Sequence, residues 1–177
     1  MITAELVNKK AVIWDEEDIE TVYSDKYYGK KNDRKLELSL VEAAHLHDRE
    51  IIEVEVEEET LNREELFSKF SELDEDFKKK YTVYDDLRER GFIVKSGFKF
   101  GTHFRVYPRG ANPYADEEGN RAHTKWVVQA VNESQKQGFE EMSRTVRLAH
   151  NIRAKMLYAV VDSESGVTYF ENKRVTP

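Results

Sequence analysis

Because the chain contains no cysteine, its candidate catalytic groups are histidine, tyrosine, lysine, arginine and the carboxylates. That absence excludes disulfide scaffolds, zinc-thiolate sites and cysteine nucleophiles. A two-metal nuclease would need carboxylates clustered at strand ends in the basic half of the chain. Asp116, Glu117 and Glu118 are adjacent, but no carboxylate on a predicted strand joins them. The sequence therefore predicts no metal site and no cofactor.

A second set of polar groups surrounds a long segment, residues 108–122, that is rich in proline, glycine, asparagine and aspartate. Loops of this length in a compact domain are often functional. Tyr107 ends a predicted strand before the segment, and His123 follows it. A helix predicted over Ser143–Met156 places Arg147 opposite its apolar stripe. Each side chain also has an ordinary structural alternative, as a core cap, a surface histidine or a solubilising charge, and spacing alone leaves both interpretations open.

The elements that must position these groups follow from apolar periodicity and capping residues. In the N-terminal half we predict strands over Lys10–Trp14 and Ile51–Val56. We predict helices over Leu36–His47, with Ser39 as a possible N-cap, and over Asn62–Phe77. The run Lys78–Lys80 suits the negative C-terminal end of that last helix. In the C-terminal half we predict helices over Thr82–Arg90 and Ser143–Met156. The predicted strands of this half are Phe92–Lys95, Phe98–Tyr107, Lys125–Val131, Leu157–Val161 and Val167–Phe170.

The net charge of −7 is unevenly distributed along the 177 residues. Residues 1–80 carry 13 basic and 23 acidic side chains, a net −10, whereas residues 81–177 carry a net +3. The difference favours two modules with a boundary near residue 80, although surface charge without function would give the same totals. No apolar run approaches the roughly 18 residues of a membrane span, and the N-terminus lacks the order of a signal peptide. We therefore expect a soluble, cytoplasmic protein with no membrane partner.

Nearly the whole chain resembles the archaeal tRNA-intron (tRNA-splicing) endonucleases. The segments that carry the resemblance are Tyr28-Gly29-Lys30, Leu38–Ala43, Tyr84–Lys95, Gly97–Gly101, Phe104–Asn112, His123, Val146–Arg153 and Ala159–Asp162. The resemblance implies an α/β fold of two small mixed α/β domains, 1–80 and 81–177. The second would be the nuclease domain, with a central mixed sheet flanked by helices.

The implied activity is a metal-independent cleavage of precursor tRNA at a bulge–helix–bulge, which leaves a 2′,3′-cyclic phosphate and a 5′-hydroxyl. The family's general base matches Tyr107 and its general acid matches His123. An ordinary tyrosine has a pKa of about 10, so a tyrosine base needs cationic neighbours. An ordinary histidine, with a pKa of about 6.5, suits an acid near neutral pH.

The sequence departs from the family at the third catalytic group. The family's lysine directly follows the arginine that matches Arg153, and this position is Ala154. Lys155 comes one residue later, which on a helix turns its side chain by about 100°, away from Arg147. We therefore predict that the lysine is missing, with Lys155 as the remaining candidate through its flexible stem. Losing one electrostatic group typically costs about 10²–10³ in rate, so slow cleavage could survive.

The resemblance also implies an RNA clamp and an assembly. Arg147 matches an arginine that helps hold a bulge nucleotide across the dimer, and its partner from the C-terminal strand is Tyr169 or Arg174. Relatives of this length are homotetramers, dimers of dimers that dock through an acidic loop. The corresponding loop here is Asn132–Glu141, in which Glu133 is the best match.

Two other functional classes stay open at this point. Ala154 favours a catalytically inactive structural subunit of a heteromeric splicing endonuclease, whereas Tyr107 and His123 favour an active enzyme. A plain RNA-binding module is disfavoured by the net charge and by the absence of common RNA-binding motifs.

Overall fold

The computed structural model describes residues 1–24, 26–97, 101–115 and 118–177. Within them the chain forms two compact units, Met1–Asp85 and Asp86–Pro177. Each unit contains one mixed β-sheet with helices, which confirms the predicted α/β class with two mixed α/β domains. The division falls inside a helix, after Asp85, whereas the charge pattern places the boundary near residue 80.

The first unit is built on a six-stranded sheet with the order β3-β4-β2-β1-β5-β6. Only the β1–β5 pair is parallel among the pairs that the described residues form. The elements are β1 (Ile2–Val7), β2 (Lys10–Ile13), α1 (Glu16–Tyr23), β3 (Lys30–Asn32), β4 (Lys35–Ser39), α2 (Leu40–Asp48), β5 (Ile52–Val56), β6 (Glu59–Thr60), α3 (Arg63–Leu73) and α4 (Phe77–Glu89), which continues into the second unit. β1 and α1 were not among the predicted elements.

The second helix begins at Ser39, where a strand ends. Leu36 is fully buried in β4, so the first turn of the helix predicted from Leu36 is wrong. The predicted N-cap is confirmed, because the Ser39 hydroxyl accepts the Glu42 N–H while the Glu42 carboxylate accepts the Ser39 N–H at 2.9 Å. The same carboxylate accepts the Gly29 N–H at 2.8 Å. Gly29 has φ +69, and a Cβ there would lie 2.8 Å from a strand carbonyl, so this turn requires glycine.

The helix predicted over Asn62–Phe77 is two helices. α3 ends at Leu73, and Asp74 accepts a hydrogen bond from the Lys80 ammonium at 2.8 Å. Lys78–Lys80 therefore lie in the first turn of α4 and do not follow the C-terminal end of α3, so that interpretation is wrong.

The second unit is built on a five-stranded sheet with the order β11-β10-β9-β8-β7. β9 and β10 are parallel and are joined by a crossover helix, α5, while the remaining pairs are antiparallel. The elements are β7 (Ile93–Ser96), β8 (Phe104–Tyr107), β9 (Trp126–Asn132), α5 (Phe139–Asn151), β10 (Lys155–Val161) and β11 (Val167–Asn172). The predicted strand Phe98–Tyr107 lies partly outside the described residues, since 98–100 are not among them.

The last helix ends earlier than its periodicity predicts, and this changes the environment of the third catalytic position. α5 ends at Asn151, and Arg153 takes a positive φ of 57° that reverses the chain. Lys155 starts β10, which pairs with β9 from the Lys155–Trp126 pair onward. Met156 is therefore a strand residue, and the prediction of a helix to Met156 is wrong. The argument from a 100° helical rotation does not apply to Lys155.

Candidate active site

Tyr107 is the last residue of β8 and is 4% exposed. Its phenol oxygen accepts a hydrogen bond from Arg105 Nη1 at 3.3 Å. The Nε of Arg105 donates to the Ser96 carbonyl of the neighbouring strand at 2.8 Å, which anchors the guanidinium. Sequence reasoning missed Arg105, although a residue two positions from Tyr107 on a strand must share its face.

The strand register brings the family's lysine position into line with Tyr107. Arg105 pairs with Val127, which pairs with Met156. Two residues further along each strand in the same direction lie Tyr107 and Ala154, and they share the face of Arg105 and Met156 because side chains alternate. Ala154 indeed packs against the core cluster that contains Val127 and Met156. A longer side chain at position 154 would start on the Tyr107 face of the sheet.

Lys155 lies on the opposite face of β10 from Ala154. Its side chain is 64% exposed, and its Nζ lies 3.6 Å from Glu171 Oε2 on the edge strand β11. Glu171 pairs with Leu157, so it shares the face of Lys155. The described structure therefore does not bring the Lys155 ammonium to Tyr107.

His123 is exposed in the segment between β8 and β9. A backbone hydrogen bond from the Lys125 N–H to the Val106 carbonyl, at 2.8 Å, returns this segment to β8. A second bond, from the Ala122 N–H to the Asn112 carbonyl at 3.1 Å, lies within the segment itself. Two residues span at most about 7 Å, so the bond at Lys125 keeps the His123 backbone near the end of β8. The backbones of Tyr107 and His123, 16 positions apart in sequence, are thus held near the same end of β8.

Two further cations near the end of β8 are held by aromatic rings. Lys125 Nζ lies 4.2 Å from the centroid of the Trp126 ring, and the Arg109 guanidinium lies 5.2 Å from that of Phe92. Arg109 Nε also donates to the carbonyl of Arg90 at 2.7 Å. The Phe92 and Trp126 rings pack edge to face at 5.3 Å, so these cations belong to one aromatic cluster.

A groove of about 890 Å³ lies between α5 and the chain that ends β11. Arg147 lines it from α5, and Arg174 lines it from the C-terminal segment. The rest of the lining is mixed: apolar side chains such as Phe139, Val146 and Val175 lie beside Lys173 and the carboxylates Glu140 and Glu171. The structure thus brings the two predicted RNA-binding arginines to one surface, which also offers apolar contact.

Tyr169 does not line this groove in the described structure. Its hydroxyl donates to Asp86 Oδ2 at 2.6 Å, and the Arg90 guanidinium lies 5.7 Å from its ring centroid. Burial and the Asp86 carboxylate raise the pKa of Tyr169 well above the ordinary value. These contacts join β11 to the end of α4, so the described contacts of Tyr169 support the fold and do not face the groove.

Glu133 follows β9 directly and is exposed. Its carboxylate accepts the Ser163 N–H at 3.2 Å, and its own N–H donates to the Val161 carbonyl at 3.0 Å. Both bonds connect the chain just after β9 to the turn between β10 and β11. The loop is therefore attached at this end, while the side chains of residues 134–136 are exposed. The loop predicted over Asn132–Glu141 is shorter than predicted, because Asn132 ends β9 and residues 139–141 belong to α5.

Asp116 and Glu117, the carboxylates considered as metal ligands, lie outside the described residues. Across the described ranges, no group of three or more histidine, aspartate or glutamate side chains lies close enough to hold a metal ion. In those same ranges, no helix combines the length and the apolar character needed to cross a membrane.

Comparison with known families accounts for both units. Residues 77–169 match the family described as tRNA intron endonuclease, catalytic C-terminal domain, and residues 2–67 match the corresponding N-terminal domain. The chain belongs to this family. The endonuclease catalytic domain contains Tyr107, His123 and Arg147, whereas Arg174 lies beyond the matched range.

Named relatives in archaea extend the match over most of the chain. The chain is 42% identical over 156 residues to a tRNA-splicing endonuclease of Pyrococcus abyssi, and the aligned residues cover 88% of this chain and 86% of the relative. It is 41% identical over 171 residues to the tRNA-splicing endonuclease of Thermococcus kodakarensis, covering 97% and 96%. The tRNA-splicing endonuclease of Methanothermobacter thermautotrophicus is 36% identical over 149 residues, covering 84% and 83%. The resemblance predicted from the sequence is confirmed.

Proposed function

We propose that the chain is an endoribonuclease that excises introns from precursor tRNA at bulge–helix–bulge motifs without a metal ion. The observation that carries the proposal is the membership of both domains in the endonuclease family. It is supported by the backbones of Tyr107 and His123, which lie near the same end of β8. Unpaired bulges suit recognition by shape and stacking, because their bases are free of the duplex stack.

The proposed reaction is a 2′-OH transesterification. Tyr107, reacting as its phenolate, takes the proton of the ribose 2′-OH and becomes a neutral phenol while the 2′-oxygen forms a bond to phosphorus. The bond from phosphorus to the 5′-oxygen breaks, and His123 gives its proton to that leaving oxygen. The products carry a 2′,3′-cyclic phosphate and a 5′-hydroxyl, and each proton transfer is typically worth about 10²–10⁴ in rate.

The burial of Tyr107 has two consequences for this mechanism. With 4% of its surface exposed, its phenol is shielded from bulk water, which strengthens nearby electrostatic interactions. The RNA must also displace part of the cover of Tyr107 before the 2′-OH can reach the phenol oxygen. Residues 108–115 follow β8 directly, and residues 118–122 lead into His123, so we assign this displacement to these two stretches.

The groove with Arg147 and Arg174 is the proposed clamp for a bulge nucleotide. A guanidinium can stack on a base and remain charged at every working pH. Arg174 lines the groove together with Arg147, whereas Tyr169 is bonded to Asp86, and this supports Arg174 as the partner.

Replacing Arg147 or Arg174 by alanine should weaken binding of bulged RNA and lower the salt slope of binding by about 1 for each. Binding is measured in the Tyr107→Phe background, which prevents cleavage, with a fully paired duplex as competitor. Arg144→Ala is the matched control, since Arg144 is exposed on α5 but does not line the groove. If Arg144→Ala and Arg147→Ala lost the same amount of RNA affinity, the contribution of Arg147 would be nonspecific charge and not a clamp.

We propose a homotetramer in which Glu133 and its loop dock into the opposing dimer. Glu133→Lys should convert tetramers to dimers, so that the mass from light scattering falls by about half, because a like charge in a basic cleft repels. Glu133→Gln is the control, since it keeps an acceptor for the Ser163 N–H. An unchanged mass for Glu133→Lys would contradict this role.

An inactive structural subunit is the second candidate, and Ala154 at the family's lysine position is the observation that favours it. The first experiment offers a bulge–helix–bulge RNA to the chain in excess EDTA and analyses the ends of the products. We expect slow cleavage that leaves a cyclic phosphate. Tight binding without cleavage, both for the chain and for Ala154→Lys, would instead identify a structural subunit that requires a catalytic partner.

A further inference from the structure

The proposed mechanism leaves the tyrosine without a named cation, and the structure provides one. Lys155 lies on the opposite face of the sheet, and Lys125 and Arg109 are positioned on aromatic rings. The guanidinium of Arg105 is a cation that the structure places against the phenol oxygen of Tyr107. Nothing in the family resemblance gives Arg105 a role.

The guanidinium is fixed from two directions. Its Nη1 donates to Tyr107 Oη at 3.3 Å, while its Nε donates to the Ser96 carbonyl at 2.8 Å. The two bonds use different nitrogens of one planar group, so they hold both its position and its plane. Because Arg105 donates, the phenol oxygen acts as an acceptor, which is the role it must have as a base.

The chemistry of a tyrosine base requires such a partner. A phenol accepts a proton only as phenolate, and an adjacent positive charge favours the anionic form. Arginine stays protonated throughout the working range, so it cannot donate its own proton to Tyr107 in place of the substrate. A lysine at position 154 would start on the same face of the sheet as Tyr107, beside the start of β10.

We propose that Arg105 is a positioning residue that orients Tyr107 and supplies the positive charge that Ala154 cannot. This inference rests on the proposed function. It explains how a chain with alanine at the family's lysine position can retain cleavage. It also makes positions 105 and 154 partly interchangeable in charge, although they lie on different strands.

The test is single-turnover cleavage of a bulge–helix–bulge RNA in EDTA by Arg105→Ala and Arg105→Lys. We expect Arg105→Ala to lower the rate by about 10²-fold or more with unchanged RNA affinity. Arg105→Lys should recover at least about tenfold of that loss, because charge returns without the fork. Millimolar guanidinium chloride should rescue Arg105→Ala, whereas equal sodium chloride should not. In the Ala154→Lys background the loss from Arg105→Ala should shrink.

Arg90→Ala is the matched control for losing a structural guanidinium, because Arg90 forms two bonds with Asp86 and does not contact Tyr107. Thermal unfolding of each variant shows whether it is folded. If the unmodified chain cleaves and folded Arg105→Ala cleaves equally fast, the role of Arg105 is overturned while the proposed function stands. The role is likewise overturned if added guanidinium does not restore the rate of folded Arg105→Ala and Arg105→Lys is no faster than Arg105→Ala. If the unmodified chain and Ala154→Lys both fail to cleave, the proposed function falls and this inference falls with it.

Discussion

Replacing Tyr107 by phenylalanine will slow single-turnover cleavage by about 10²–10⁴-fold, because the substitution removes the oxygen that takes the 2′-OH proton. The ring remains in place at the end of β8, where Tyr107 is buried, so the sheet edge should keep its shape. RNA affinity should be unchanged, since the phenol contributes to the transition state more than to binding. The rate is measured with enzyme in excess over bulge–helix–bulge RNA.

Tyr158→Phe is the matched control for this loss of a hydroxyl. Tyr158 is also buried in the second unit, and its hydroxyl lies 2.9 Å from Thr145 Oγ1, away from the proposed chemistry. Its removal should lower stability by about 1 kcal/mol and leave the rate within about threefold. If Tyr107→Phe cleaved as fast as Tyr158→Phe, a different group would be the base.

His123→Ala should give a loss of the same order, with His150→Ala as its control because both side chains are exposed. The double variant Tyr107→Phe/His123→Ala should be little slower than either single variant, because residues that act as one unit are strongly non-additive. Independent, multiplicative losses would contradict a concerted acid–base pair.

The sequence predicts the architecture better than it predicts the ends of its elements. The capped start of α2 follows from the residue types at Ser39 and Glu42, and the division into two modules follows from the charge difference. The end of α5 does not follow, because Ala149, Ile152 and Met156 continue the apolar spacing of a helix past the residue at which the helix ends. The chain turns at Arg153 with a positive φ, and no glycine or asparagine at that position announces the turn.

The candidate site divides in the same way. Periodicity alone does not pair Tyr107 with His123, because a segment without helix or strand in its described part separates them and only backbone bonds such as Lys125 to Val106 return it. The relation of Ala154 to Tyr107 requires the register of three strands, two of which are parallel and distant in sequence. Arg105 is different, since alternation along a short strand places residues two apart on one face. That signal was present in the sequence.

Ala154→Lys should raise the single-turnover rate by about 10²–10³-fold, the effect expected from restoring one electrostatic stabiliser beside the phosphorane. The reason is positional: residue 154 starts on the face of the sheet that carries Tyr107, whereas Lys155 starts on the other face. A lysine stem is long enough to carry its ammonium past the core cluster to the sheet edge, where charge is solvated. Rates of the two proteins are compared in EDTA on one RNA.

Two controls separate charge from packing in this experiment. Ala154→Met adds a stem of similar length without charge, so it should change stability but not accelerate cleavage. Lys155→Ala removes the neighbouring lysine, whose ammonium lies 3.6 Å from Glu171, and should leave the rate within about threefold because it breaks only an exposed ion pair. If Lys155→Ala were as damaging as Tyr107→Phe, the Lys155 ammonium would have to reach the other face of β10 when RNA binds, and the sheet register would not decide which lysine serves the reaction. If Ala154→Lys alone accelerates cleavage, position 154 is where this chain differs from a fully active member of its family.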